Sequence, residues 1–98
     1  MVESILLEAS PAAAASLFAA LADATRLDIL RQLSRSGPTC VCKFEAQAAI
    51  APNLLSYHLK VLRDASLVET KRRGRWVDYS LASGAMERLH AAIPGVRP

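Results

Sequence analysis

The chain has 98 residues, 52% of them hydrophobic, and its 12 Lys and Arg against 9 Asp and Glu give a net charge of +3. That length fits one compact domain over residues 1–98. The longest charge-free apolar stretch, Ala9–Ala22, contains Ser10, Pro11 and Ser16 and falls short of the roughly 18–20 apolar residues of a membrane-spanning helix. Glu3 stands where a signal peptide would carry positive charge, so the expectation is a cytoplasmic protein whose apolar excess covers a partner subunit.

Ser10-Pro11 reads as a helix start, Ser as the N-cap and Pro at the first helical position. The Ala-rich run over 10–22 then propagates the helix, with Leu17, Phe18 and Leu21 on one face. Its lack of charge predicts burial on more than one side. Asp23 caps a second helix, 24–34, with Leu27, Leu30 and Leu33 in register and Arg26, Asp28, Arg31 and Arg35 on the other faces; Ser36-Gly37-Pro38 stops it.

A shorter segment, 39–50, opens on Thr39 as a cap and has apolar positions at Phe44, Ala48 and Ile50. Ala51-Pro52-Asn53 breaks the chain before a helix over 52–65. Leu55, Leu59 and Leu62 form its inner face; Asn53, Ser56, Tyr57, Lys60 and Arg63 stay outside. Beyond Ser66 the period becomes two: 67–72 and 75–81 read as strands joined at Arg73-Gly74, with Val77, Tyr79 and Leu81 on one face. Ser83 caps a last helix, 84–93, ended by Pro94-Gly95.

This order, ααααββα, is mainly α with a β-hairpin: a winged helix-turn-helix. The second helix of such a motif enters the major groove, where short polar side chains read base edges. Asn53, Ser56, Tyr57 and Lys60 fit that task, and His58 on the same helix suits packing or a phosphate contact. Arg72, Arg73 and Arg75, with Lys71, make a basic wing suited to the phosphate backbone. A solvated charged turn is the plain alternative for that run. No Ser-His-Asp set, glycine-rich phosphate loop or carboxylate pair points to catalysis, so an enzyme is not expected.

Cys40 and Cys42 are expected as reduced thiols in a cytoplasmic chain; one intervening residue is awkward for a disulfide. They are read either as a sensing pair, as small apolar packing residues, or as a redox pair.

Three segments carry a resemblance. Leu-Phe-Ala-Ala-Leu-Ala-Asp-Ala-Thr-Arg-Leu-Asp-Ile-Leu (17–30), Leu-Ser-Tyr-His-Leu-Lys-Val-Leu-Arg-Asp-Ala (55–65) and Gly-Arg-Trp-Val-Asp-Tyr-Ser-Leu (74–81) resemble the ArsR/SmtB metalloregulatory repressors, over about 14–82. Ser66 stands where that family usually carries glycine, and Leu54 and Tyr57 at outward positions are a second departure. The resemblance implies a homodimer formed through the first and last helices, about 10–22 and 84–93. It implies a palindromic double-stranded operator, and release from DNA when an inducer binds.

Thr-Cys-Val-Cys-Lys-Phe-Glu further resembles the Cys-Val-Cys-Asp-Leu-Cys box of the arsenic-responsive members. There, three thiolates at the start of the third helix hold As(III) or Sb(III). Cys40 and Cys42 match the first two, and Glu45 replaces the third. Two thiolates suit arsenite with an added oxygen ligand, or an organoarsenical with two exchangeable positions; soft ions prefer sulfur. Pulling both cysteines onto one ion would distort the helix before the recognition helix. No cofactor is implied for DNA binding itself. Zinc-sensing members use a ligand set on the last helix, but Glu87 and His90 fall short of zinc's usual four ligands. A protein–protein interaction module is the alternative from another class, which the basic wing argues against.

Overall fold

The computed structural model describes residues 10–47 and 49–95. Glu3 and the apolar role expected of Ala48 lie outside the described residues.

Ser10 accepts a hydrogen bond from the Ala13 N–H at 3.2 Å and Pro11 opens helix α1 (Pro11–Leu21). Asp23 caps helix α2 (Ala24–Ser36) through the Arg26 N–H at 3.0 Å. That helix runs two residues beyond the expected Ser34, and Gly37 ends it at a φ of 72°. Within the single chain α1 is not enclosed: of its 11 residues only Ala20 is buried.

The next segment differs most from its sequence reading. Thr39 caps nothing; its hydroxyl donates to the Gly37 carbonyl at 2.9 Å. Thr39 and Cys40 are instead a short strand, β1 (Thr39–Cys40), and the helix α3 (Val41–Gln47) begins after it. A strand of two residues has no periodicity to reveal it. It exists because β3 (Trp76–Leu81), far along the chain, offers an edge to pair with.

Pro52 starts the helix α4 (Pro52–Asp64), which buries Leu55, His58, Leu59 and Leu62. Its end is a Schellman arrangement: Leu67 N–H reaches the Leu62 carbonyl at 3.0 Å and Ser66 N–H reaches Arg63 at 2.9 Å. This puts Ser66 at a φ of 58°, in the left-handed region where glycine is favoured.

Strands β2 (Val68–Arg73) and β3 pair antiparallel from Val68↔Leu81 to Arg73↔Trp76. The turn is therefore Gly74-Arg75, one residue later than expected, and Arg75 belongs to the tip rather than to a strand. Gly74, at a φ of 64°, takes the first central position, as a II′ turn requires. The sheet order is β1-β3-β2. Helix α5 (Ala85–Ala92) closes the chain. Ser83 does not cap it; its N–H donates to the Glu69 carboxylate at 3.0 Å, and Gly84 is the capping residue.

One apolar cluster joins these elements, with Ile29 and Leu33 of α2 against Leu55, Leu59 and Leu62 of α4, and Leu67, Val68 and Tyr79 of the sheet completing it. Leu33, Leu62 and Leu67 are its largest fully buried side chains.

Candidate nucleic-acid interface and cysteine pair

Leucines at 55, 59 and 62 pin one side of α4 to the core. Helical spacing then turns Asn53, Leu54, Ser56, Tyr57, Lys60 and Arg63 outward, and all are exposed. Tyr57 is 55% exposed and Leu54 43%, so the outward face mixes polar groups with two large apolar ones. Such a face can offer hydrogen bonds to base edges and apolar contact to a thymine methyl. Lys60 carries a partner already: its ammonium lies 2.7 Å from the Asp64 carboxylate, and that bond holds the Asp64 carboxyl below its ordinary value.

His58 takes the first of its two expected parts, packing. Its ring is 6% exposed and turned inward, where Nδ1 meets the Arg26 guanidinium at 2.9 Å. Arg26 in turn was missed by the sequence reading, which placed it on an outer face of its helix. It is half-buried and donates to the Ala20 carbonyl at 2.7 Å and the Ala19 carbonyl at 3.3 Å. An arginine three residues after a capping Asp was the available signal, but nothing in the sequence marks its distant partner.

The wing presents cations on both faces. Lys71 and Arg73 share a face with Trp76 and Asp78, while Arg72 shares the other with Val77. All three cations are exposed. Arg73 makes a two-point bond to Asp78, Nε to Oδ2 at 2.9 Å and Nη2 to Oδ1 at 3.0 Å, which holds the Asp78 carboxyl below its ordinary value. Arg75 sits at the tip with its guanidinium carbon 5.1 Å from the Trp76 ring centroid, a cation–π distance. Arg72 and Arg75 are thus without a carboxylate partner among the described residues, and Arg73 is neutralised in place.

The cysteines do not both lie on a helix. Cys40 ends β1 and Cys42 is in the first turn of α3, with the Cys42 N–H 3.2 Å from Cys40 Sγ. The strand-to-helix corner brings the Cα atoms to 5.2 Å and joins the sulfurs as a Cys40–Cys42 disulfide. One intervening residue was expected to make the pairing awkward; the sharp turn of the chain between the two residues brings their Cα separation within the usual disulfide range. Glu45 is exposed one turn further along α3. No cluster of three or more His, Cys, Asp or Glu placed to hold a metal ion exists among the described residues.

Among the described residues, no helix is long and apolar enough to cross a membrane.

Known proteins resemble this arrangement in sequence and in shape. Residues 23–70 match the arsR family of bacterial regulatory proteins. The arsenical resistance operon repressor of Bacillus subtilis is 44% identical over 64 residues, which span 65% of this chain and 61% of that repressor's length. An HTH-type transcriptional regulator of Methanocaldococcus jannaschii, itself uncharacterized, is 33% identical over 78% of this chain and 85% of its own. A crystal structure of an ArsR family transcriptional regulator superimposes with a TM-score of 0.75 at 28% identity, covering 85% of this chain and 84% of that one.

Proposed function

Since the chain belongs to the arsR family of bacterial regulatory proteins, which are DNA-binding transcriptional regulators and not enzymes, we propose that it is an operator-binding repressor released by a trivalent arsenical at Cys40 and Cys42. The observation that carries the DNA half is the placement of Asn53, Ser56, Tyr57 and Lys60 on the open face of α4, beside a wing whose Arg72 and Arg75 are free of carboxylates. Bases are read by the first set and phosphates held by the second. The relative from Bacillus subtilis is named an arsenical resistance operon repressor, which favours arsenic chemistry for the inducer.

The donor set narrows that inducer. Two sulfurs stand together and no third protein donor joins them among the described residues. An arsenical with one organic substituent and two exchangeable hydroxyls matches two thiols. Each thiol proton leaves with one hydroxyl as water, two As–S bonds form, and arsenic keeps its oxidation state. The pair must be in its dithiol form for this. A redox-responsive repressor is the second reading, favoured by the bonding contact of the two sulfurs; there the signal is an oxidant that takes two electrons from the dithiol.

The same chain acts as a homodimer in this reading. Helix α1 carries no charged side chain and buries only Ala20. Between α2, α5 and the base of the wing lies an apolar hollow of about 290 Å³ lined by Leu21, Leu27, Leu30, Leu81, Met86 and Leu89. Leu27 and Met86 of that lining are exposed, as is Ile93 at the end of α5. A second copy laid on α1 and α5 covers these surfaces, and two α4 helices then address a palindromic site.

The test uses a duplex selected from a randomised pool by the full chain under reducing conditions. Phenylarsine oxide, arsenite, cadmium and zinc are titrated into that complex. Release by the phenylarsenical, lost in the Cys40→Ser/Cys42→Ser protein, is the expected result. Release of the double variant by the same compound places the sensor elsewhere. Release by a mild oxidant alone, reversed by thiol, selects the redox reading.

A further inference from the structure

Three elements meet at one guanidinium. Arg26, in the first turn of α2, sends Nε to the Ala20 carbonyl and Nη2 to the Ala19 carbonyl at the end of α1, and Nη1 to His58 Nδ1 in the middle of α4. Arginine has donors and no acceptor. His58 Nδ1 must therefore accept, which fixes its proton on Nε2. The Asp23 carboxylate, 3.9 Å from the same Nδ1, receives nothing from that atom; it is engaged by the Arg26 N–H.

The rest of the grip on α4 is apolar. Leu55, Leu59 and Leu62 press on α2 and the sheet, and such contacts are non-directional. They set which side of the helix faces in, and leave its fine rotation about the axis to directional contacts. The Arg26–His58 bond is directional. Among the described residues it is the one side-chain hydrogen bond that another element makes to a side chain of α4. Rotation matters because of leverage. A turn of about 20° carries a side-chain tip at the roughly 5–6 Å outer radius of a helix through about 2 Å, enough to break a base-edge hydrogen bond. His58 directly follows Ser56 and Tyr57, so the inward bond sets the angle at which those outward groups are presented.

We propose that Arg26 is a positioning residue for sequence reading: by holding His58 Nδ1 against the end of α1 it fixes the rotation of α4, and so the specific part of DNA affinity. This rests on α4 being the reading helix, as argued above. Arg26 touches no DNA in this scheme and acts wholly through His58.

The experiment compares affinity for the selected duplex with affinity for the unselected random pool, at one salt concentration, with helical content and thermal midpoint followed in parallel. His58→Leu keeps an apolar filling and removes the acceptor. His58→Asn restores an acceptor oxygen near the position of Nδ1. Arg26→Lys keeps the charge but cannot span three acceptors. The expected result is a fall of about tenfold in the selected-to-unselected ratio for His58→Leu and Arg26→Lys, with pool affinity unchanged, and recovery of most of that ratio in His58→Asn. A folded His58→Leu protein with the wild-type ratio overturns the inference. So does a folded His58→Asn protein as unselective as the leucine variant. If His58→Leu does not fold, Arg26→Lys decides, and a wild-type ratio there overturns it. A wild-type chain that prefers no duplex overturns the reading of α4 itself, an outcome distinct from equal ratios among folded variants.

Discussion

Cys40 and Asp78 stand opposite each other across the β1–β3 ladder, and the Asp78 carboxylate in turn holds Arg73 of the wing at two points. Directly opposed residues of antiparallel strands share a face of the sheet. The cysteine pair is thus joined to the wing by a single strand pairing, as well as to α4 through α3. In the dithiol reading, a ligand that bridges Cys40 and Cys42 acts on a strand of only two residues, beside the carboxylate that restrains Arg73.

Replacing Asp78 by Asn should release Arg73. Affinity for unselected duplex should rise, and the plot of log affinity against log salt should steepen by about one phosphate contact. Filter or fluorescence binding over a salt series measures both. An unchanged slope would mean that Arg73 does not gain a phosphate when freed.

The wing cations should not be equivalent. Arg72→Ala and Arg75→Ala should each flatten the salt slope by about one, because neither guanidinium has a carboxylate partner among the described residues. Arg73→Ala should flatten it less, since Asp78 already neutralises that charge. Equal slopes for the three single variants would contradict this ranking.

Ser66 holds a left-handed conformation that costs a residue with a Cβ roughly 1 kcal/mol. Ser66→Gly should recover much of that, with an opposing loss from the greater freedom of glycine in the unfolded chain. The backbone carbonyl of residue 66, which accepts from Arg88, is retained. Urea unfolding should show a raised midpoint at constant slope; a lowered midpoint would show that the backbone is relaxed with serine in place.

Asp23 caps α2, and its carboxyl lies below its ordinary value of 3.8, chiefly through the hydrogen bond from the Arg26 N–H. A lowered native value means that the charged form favours the fold. Its contribution is present above the ordinary value and is lost as pH falls through the lowered one. Asp23→Ala should therefore lower the urea midpoint near neutrality, and the gap from wild type should close in acid. A gap that persists at the lowest pH would assign the loss to packing.

Local patterns in the chain were enough to determine most elements. Ser10-Pro11 and Asp23 are start signals that act within one turn of themselves. The leucine spacing at 55, 59 and 62 settled which side of α4 is buried, and so which residues face out, because helix geometry alone relates the two. Alternation around Val77, Tyr79 and Leu81 likewise marked the inner face of the wing. Tertiary structure decided what depends on partners far along the chain. Thr39 and Cys40 became a strand because β3 presents an edge to them, 38 positions later for the Cys40–Asp78 pair. Between packing and a phosphate contact, which the sequence left open for His58, its place as a buried acceptor was decided by Arg26, 32 positions earlier, whose guanidinium points at it. Arg73 lost its freedom to Asp78 through hairpin register. Periodicity and capping are properties of neighbours within a turn or a strand, whereas a hydrogen bond across 32 residues exists only once the apolar faces have packed.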